Sequence, residues 1–127
     1  MEYQELINKA IEASNKSYSP YSKFSVGACV LTEDNCIYCG CNFENSSFGL
    51  TICAERNAIG SAITDGKRKI KAIAIYSPDS EYCFPCGACR QVINEFRSDC
   101  GVDVITTGSN GIRIDKIEYL LPEGFNL

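Results

Sequence analysis

Residues 70–97, IKAIAIYSPDSEYCFPCGACRQVINEFR, contain the change of period that decides the fold. Ile70 to Tyr76 is an apolar β-run, and from about residue 86 to 97 Cys89, Val92, Ile93 and Phe96 mark one face of a helix. Strand, loop and helix in succession form a unit of an α/β sheet. Upstream, Tyr3, Leu6, Ile7, Ala10, Ile11 and Ser14 recur at helical spacing over residues 3–16, and the turn Ser19-Pro20-Tyr21-Ser22 ends that helix. Phe24 to Leu31 and Cys36 to Phe43 read as strands joined at Asp34-Asn35, giving a β-hairpin. Asn45 to Gly49 is a loop, Cys53 to Ile63 an Ala-rich buried helix closed by Asp65-Gly66, Val102 to Thr107 a strand, and Ile112 to Ile114 a short strand before a last helical turn. The order αββαβαββα predicts an α/β sheet covered on both faces.

Composition narrows the chemistry. At 127 residues the chain is expected to form a single domain spanning 1–127 that buries about two-thirds of its unfolded surface. It has no His, which excludes His-based triads, His general bases and every zinc site with an imidazole ligand. A net charge of −4 argues against nucleic acid as a partner, because phosphate contacts need Lys and Arg. The basic run Lys67, Arg68, Lys69 and Lys71 reads as a solvated turn and strand entry. With no apolar leader and no apolar stretch of membrane-spanning length, no membrane partner is expected, and nine cysteines without a secretory signal point to a reducing, cytoplasmic setting.

Those cysteines divide by local geometry. Cys29, Cys36, Cys39, Cys41 and Cys100 read as small core or surface residues, and strand alternation sends Cys36 and Cys39 to opposite sides. Cys83, Cys86 and Cys89 begin like an iron–sulfur ligand run, but the fourth place falls on Ile93. Cys86 and Cys89 share one helical face directly after Pro85, a spacing open to both a zinc and a redox reading. Cys53 opens the earlier helix, so two helices following neighbouring strands would both begin with thiols at one end of the sheet. Three thiolates leave a fourth tetrahedral position for water, the arrangement of catalytic zinc.

Zinc with three thiolates carries a net negative charge and resists ionising a bound water; two helix N-termini and Arg56 can offset that excess. Glu55, two residues from a thiol, stabilises a helix start wherever it stands, and beside a metal-bound water it is placed to move a proton.

Cys53-Ala54-Glu55 followed by Pro85-Cys86-Gly87-Ala88-Cys89 resembles the zinc deaminase signature, and the Cys-first version resembles the small homotetrameric cytidine deaminases of nucleoside salvage. The likeness extends through Tyr18 to Phe24, Val26-Gly27-Ala28, Asn42-Phe43-Glu44-Asn45, Arg56, Cys86 to Gln91 and Leu120-Leu121-Pro122. It implies a three-layer α/β/α fold with a five-stranded mixed sheet, one zinc ion per subunit on Cys53, Cys86 and Cys89, and Glu55 as the proton shuttle. It also implies that Arg56 reduces the charge of the thiolates and that the reaction converts free cytidine and deoxycytidine to uridine and deoxyuridine with release of ammonia. Asn42 and Glu44 match the pair that binds the ribose hydroxyls, Phe24 the aromatic that packs on the pyrimidine, and Ala54 a further substrate contact. Phe125 matches an aromatic that completes a neighbouring subunit's site, which implies a homotetramer with shared sites. Phe48 stands where family members often carry Tyr, so a hydroxyl contact between subunits is expected to be missing.

Overall fold

The computed structural model describes residues 3–127. Helix α1 (Gln4–Ser14) precedes strands β1 (Gly27–Thr32) and β2 (Ile37–Cys41), and a 3₁₀ turn at Phe48–Leu50 leads into helix α2 (Ala54–Thr64). Strand β3 (Ile70–Tyr76), helix α3 (Gly87–Glu95), strands β4 (Asp103–Gly108) and β5 (Gly111–Lys116) and helix α4 (Ile117–Leu120) complete the chain. One five-stranded sheet runs in the order β2-β1-β3-β4-β5. All its neighbours are antiparallel except β3 and β4, so the sheet is mixed as expected.

Alternation along the strands divides the core. On one face Val30, Ile73, Ile75 and Val104 pack with Ala58 and Ile59 of α2, Ile93 of α3 and Ile117 of α4. Cys29, Leu31, Ala72, Ala74 and Ile105 turn the other way, onto Leu6, Ile7 and Ala10 of α1. Each large aliphatic side chain so enclosed contributes about 1.5–3 kcal/mol. The result is three layers, α/β/α. Two glycines set the spacing between layers: a Cβ on Gly27 would lie 2.0 Å from the Ala10 carbonyl oxygen of α1, and one on Gly40 would lie 2.6 Å from the Ala58 nitrogen of α2.

The hairpin turn lies where the sequence predicts it, with Asn35 at φ 70° and the Cys36 amide donating to Thr32 Oγ1 at 2.9 Å. Three expectations need correction. First, α2 and α3 follow strands that are not neighbours, because β1 lies between β2 and β3. Both strands are antiparallel to β1, however, so their C-terminal ends meet the same edge and both helices start there. Second, Cys29 and Cys39 are not independent small residues: they are register partners across β1 and β2 and form a disulfide. Composition hid this pair, since a cross-strand contact depends on register rather than on local spacing. Third, residues 45–49 are not wholly irregular, because the 3₁₀ turn begins at Phe48.

A second hairpin, β4–β5, braces the loop after β3. Tyr82, in the left-handed region at φ 48°, donates its hydroxyl to the Gly111 carbonyl at 3.2 Å and accepts from the Asn110 amide at 3.1 Å. Its ring occupies the space a side chain at Gly108 would need. The Arg113 guanidinium of β5 lies 5.0 Å from the centre of the Phe84 ring and is held by Asp115, Nε to Oδ2 2.9 Å. Among the described residues, no helix is long and apolar enough to cross a membrane.

Candidate active site

Cys53 and Cys86 are the N-cap residues of α2 and α3, both in extended conformation at φ −72°, ψ 152° and φ −68°, ψ 169°. Neither helix start has a side-chain cap, so thiols stand beside free backbone N–H groups and the positive ends of two helix dipoles. Cys89, one turn further into α3, is buried beneath them. The three sulfurs lie within 4.8 Å of one another. Tetrahedral zinc with Zn–S bonds near 2.3 Å asks for sulfur separations of about 3.8 Å, so this soft, convergent donor set fits the ion. Cys83 is not in the cluster; it packs against the core, and burial pushes its thiol up to about 11.

The electrostatics favour a bound cation. Hydrogen bonding from Cys89, aided by Arg56, pulls the Cys53 thiol down to about 5, while the same bond to Cys53 holds the Cys89 proton firmly. A divalent ion on the three sulfurs would displace the remaining thiol protons, because a metal ligand must be a thiolate. Arg56 donates from Nη2 to Cys53 Sγ at 3.4 Å, and its buried Nε has no partner, leaving donor capacity beside the sulfurs. Glu55, only 5% exposed, has its carboxyl pushed up to about 7, chiefly by burial.

A cavity of about 400 Å³ opens in front of these groups, a size suited to a small ligand. Cys53, Ala54, Glu55 and Cys86 line it together with Phe24, Asn42 and Glu44; of the other sequence-predicted site residues, Cys89 joins through the sulfur cluster, while Arg56 and Phe125 do not line the cavity. Arg56 stands behind the sulfurs. Phe125 is 66% exposed outside its own chain's cavity, where its carbonyl accepts from Gln91 Nε2 at 2.8 Å. Asn42 is already committed: its Oδ1 accepts from Ser17 Oγ at 2.5 Å and the Val26 amide at 2.9 Å, and its Nδ2 donates to the Phe24 carbonyl at 2.8 Å. It fixes the backbone on both sides of Ser25 as well as facing the cavity. Glu44 accepts from the Tyr21 and Ser22 amides at 3.0 and 3.2 Å and from the Ser22 hydroxyl, and the Ser22 contact holds its carboxyl below the usual range.

Ser22, Val26, Thr51, Cys83 and Phe84 also line the cavity, beyond the residues predicted from the sequence. Val26 alone has a local signal, since it lies two residues from Phe24 in the strand read over Phe24 to Leu31, whereas Ser22 is in a turn and is cut off from that alternation by Lys23 at φ 61°. Phe84 had none, because its position depends on Arg113 from the far hairpin.

Residues 1–104 match the cytidine and deoxycytidylate deaminase zinc-binding region. The chain belongs to that family. It is 43% identical to a cytidine deaminase of Sporosarcina psychrophila over 99% of this chain and 93% of that one. To a cytidine deaminase of Halalkalibacterium halodurans it is 47% identical, over 98% of this chain and 95% of the relative. The crystal structure of a cytidine deaminase from Burkholderia pseudomallei superposes with a TM-score of 0.90 at 41% identity, covering 98% of this chain and 100% of that one. Membership and the three-thiol cluster together make the chain a hydrolytic deaminase of the cytidine deaminase family.

Proposed function

We propose that this chain, acting as a single domain, deaminates free cytidine and deoxycytidine to uridine and deoxyuridine plus ammonia, in pyrimidine salvage in the cytoplasm. The observation that carries the reading is a buried carboxyl with a near-neutral pKa, Glu55, opening into the same cavity as the three-thiol cluster and Asn42 and Glu44. Cys53, Cys86 and Cys89 would hold one zinc ion per subunit. Bound zinc supplies Lewis-acid activation of a water molecule.

The remaining work falls to the chain. Glu55, able to hold or release a proton near neutrality, takes the proton of the attacking water, places it on N3 of cytosine and later delivers a proton to the amino group leaving C4. Phe24 packs on the pyrimidine, and the backbone at Ala54 orients its edge. Asn42 and Glu44 bind the ribose hydroxyls; the committed amide of Asn42 makes it a preset partner that does not reorganise on binding. Arg56 withdraws charge from the sulfur ligands. Phe125 completes the site of a neighbouring copy, in a homotetramer.

The deciding experiment mixes zinc-loaded protein with millimolar cytidine and follows uridine and ammonia, with Glu55→Ala as the blank. Conversion that vanishes in the variant while zinc content is retained supports the reading. An active Glu55→Ala protein, or no conversion by the intact metal-bound protein, overturns it.

A further inference from the structure

The Cys29–Cys39 disulfide lies on the α1 side of the sheet, on the face opposite α2 and α3, whose N-termini carry the three clustered thiols. Its two halves differ in access. Cys29 is fully buried among Leu6, Ala10 and Leu31, whereas Cys39 is exposed on β2, the edge strand. The Cys39 end opens into a cleft of about 330 Å³, lined also by Lys9, Glu12 and Lys16 of α1 and by Cys41 and Asn57. Both lysines are exposed, and their charge outweighs Glu12 on a chain whose net charge is −4. With Cys29 buried, exposed Cys39 beside a locally cationic cleft gives a small anionic thiol one defined end of the disulfide to attack.

We propose that Cys39 is a thiol–disulfide exchange site for anionic low-molecular-weight thiols, of which a carboxylate-bearing peptide thiol is the type. The thiolate RS⁻ attacks Cys39 Sγ: an RS–S bond forms, the Cys29–Cys39 bond breaks, and Cys29 leaves with the electron pair and takes a proton to become a buried neutral thiol. A second thiolate attacks the R-bearing sulfur and releases RSSR, leaving Cys39 as a thiolate that is then protonated. Two thiols are oxidised and one protein disulfide is reduced. The oxidised thiol RSSR drives the sequence in reverse. Lys9 and Lys16 draw the anion in and favour its thiolate form.

The test uses the zinc-loaded full chain. Alkylation of the native protein without reductant, followed by peptide mass spectrometry, is expected to find the peptides of Cys29 and Cys39 linked, and reduced glutathione is expected to unlink them. In Cys29→Ser, oxidised glutathione is expected to modify Cys39 ahead of the exposed Cys100. Lys9→Glu with Lys16→Glu should slow opening of the wild-type disulfide by glutathione about tenfold while leaving the rate with neutral 2-mercaptoethanol unchanged. Cys29 and Cys39 both alkylated without reductant would overturn the proposal, as would glutathione settling on Cys100 first or equal slowing of both thiols. The alkylation map and the opening rates need only the lysine changes on the exposed side of α1, so a folding defect in Cys29→Ser leaves the test intact.

Discussion

Glu55 sits where a carboxylate is least comfortable. Burial raises its pKa from 4.5 to about 7, so the folded chain holds a proton there that the unfolded chain has already released. A pKa raised on folding contributes stability that is complete below pH 4.5 and lost as pH rises through 7. The metal-free protein is therefore expected to lose about 3 kcal/mol between pH 4 and pH 8 from this group alone. Glu55→Gln should remove that slope, so that at pH 8 the metal-free variant is more stable than its parent and at pH 4 the two converge. Urea midpoints measured with chelator and reductant at both pH values check this; parallel curves would disprove it. The residue proposed to carry the proton is thus a standing cost to the fold. Its place beside the thiol cluster was legible from Cys53-Ala54-Glu55 because the spacing is local, and the same holds for Cys86 and Cys89 at helical spacing. The place of Phe84 in the cavity wall and the partnership of Cys29 with Cys39 were not, since each is made by a contact between distant parts of the chain.

At the scale of elements, the site depends on how closely α2 lies against β2. Gly40 allows that approach, with the backbone of Ala54, Asn57 and Ala58 directly above it. Gly40→Ala places a methyl 2.6 Å from the Ala58 nitrogen and 3.0 Å from the Ala54 carbonyl oxygen, and backbone cannot swing aside as a side chain can. The expected cost is about 2–3 kcal/mol in unfolding free energy. Because the displaced atoms belong to the turn carrying Glu55, turnover should fall more steeply than stability. Chemical denaturation and steady-state kinetics on one preparation separate the two. The elements themselves were readable from period and turn residues, and β3 falls at Ile70 to Tyr76 as predicted. Strand order was not: a local pattern says that a strand exists but not which strand lies beside it, which is why β1 came between two strands expected to be neighbours.

For the whole molecule, several aromatic side chains are left exposed to water. Phe48 and Phe125 are exposed, and the Phe48 ring lies 5.6 Å from that of Tyr21 beside the cavity. Large apolar side chains left in water suit the proposed assembly of four chains with shared sites. Sedimentation velocity is expected to report four times the chain mass. Phe125→Ala should raise KM several-fold while leaving that mass unchanged, because a single exposed side chain is a small part of a subunit interface. A monomer with full activity would refute both the assembly and the sharing.

Tyr82 makes the β4–β5 hairpin and the loop at Phe84 one body: its hydroxyl is pinned to the hairpin tip, its ring fills the space above Gly108, and Arg113 reaches back to Phe84. The hairpin tip is therefore a lever on the cavity. Drift at Ser109 or Asn110, neither of which lines the cavity, can reshape its wall while the three clustered thiols and Glu55 stay as they are. Selection for a new substrate has a route here that leaves the chemistry alone.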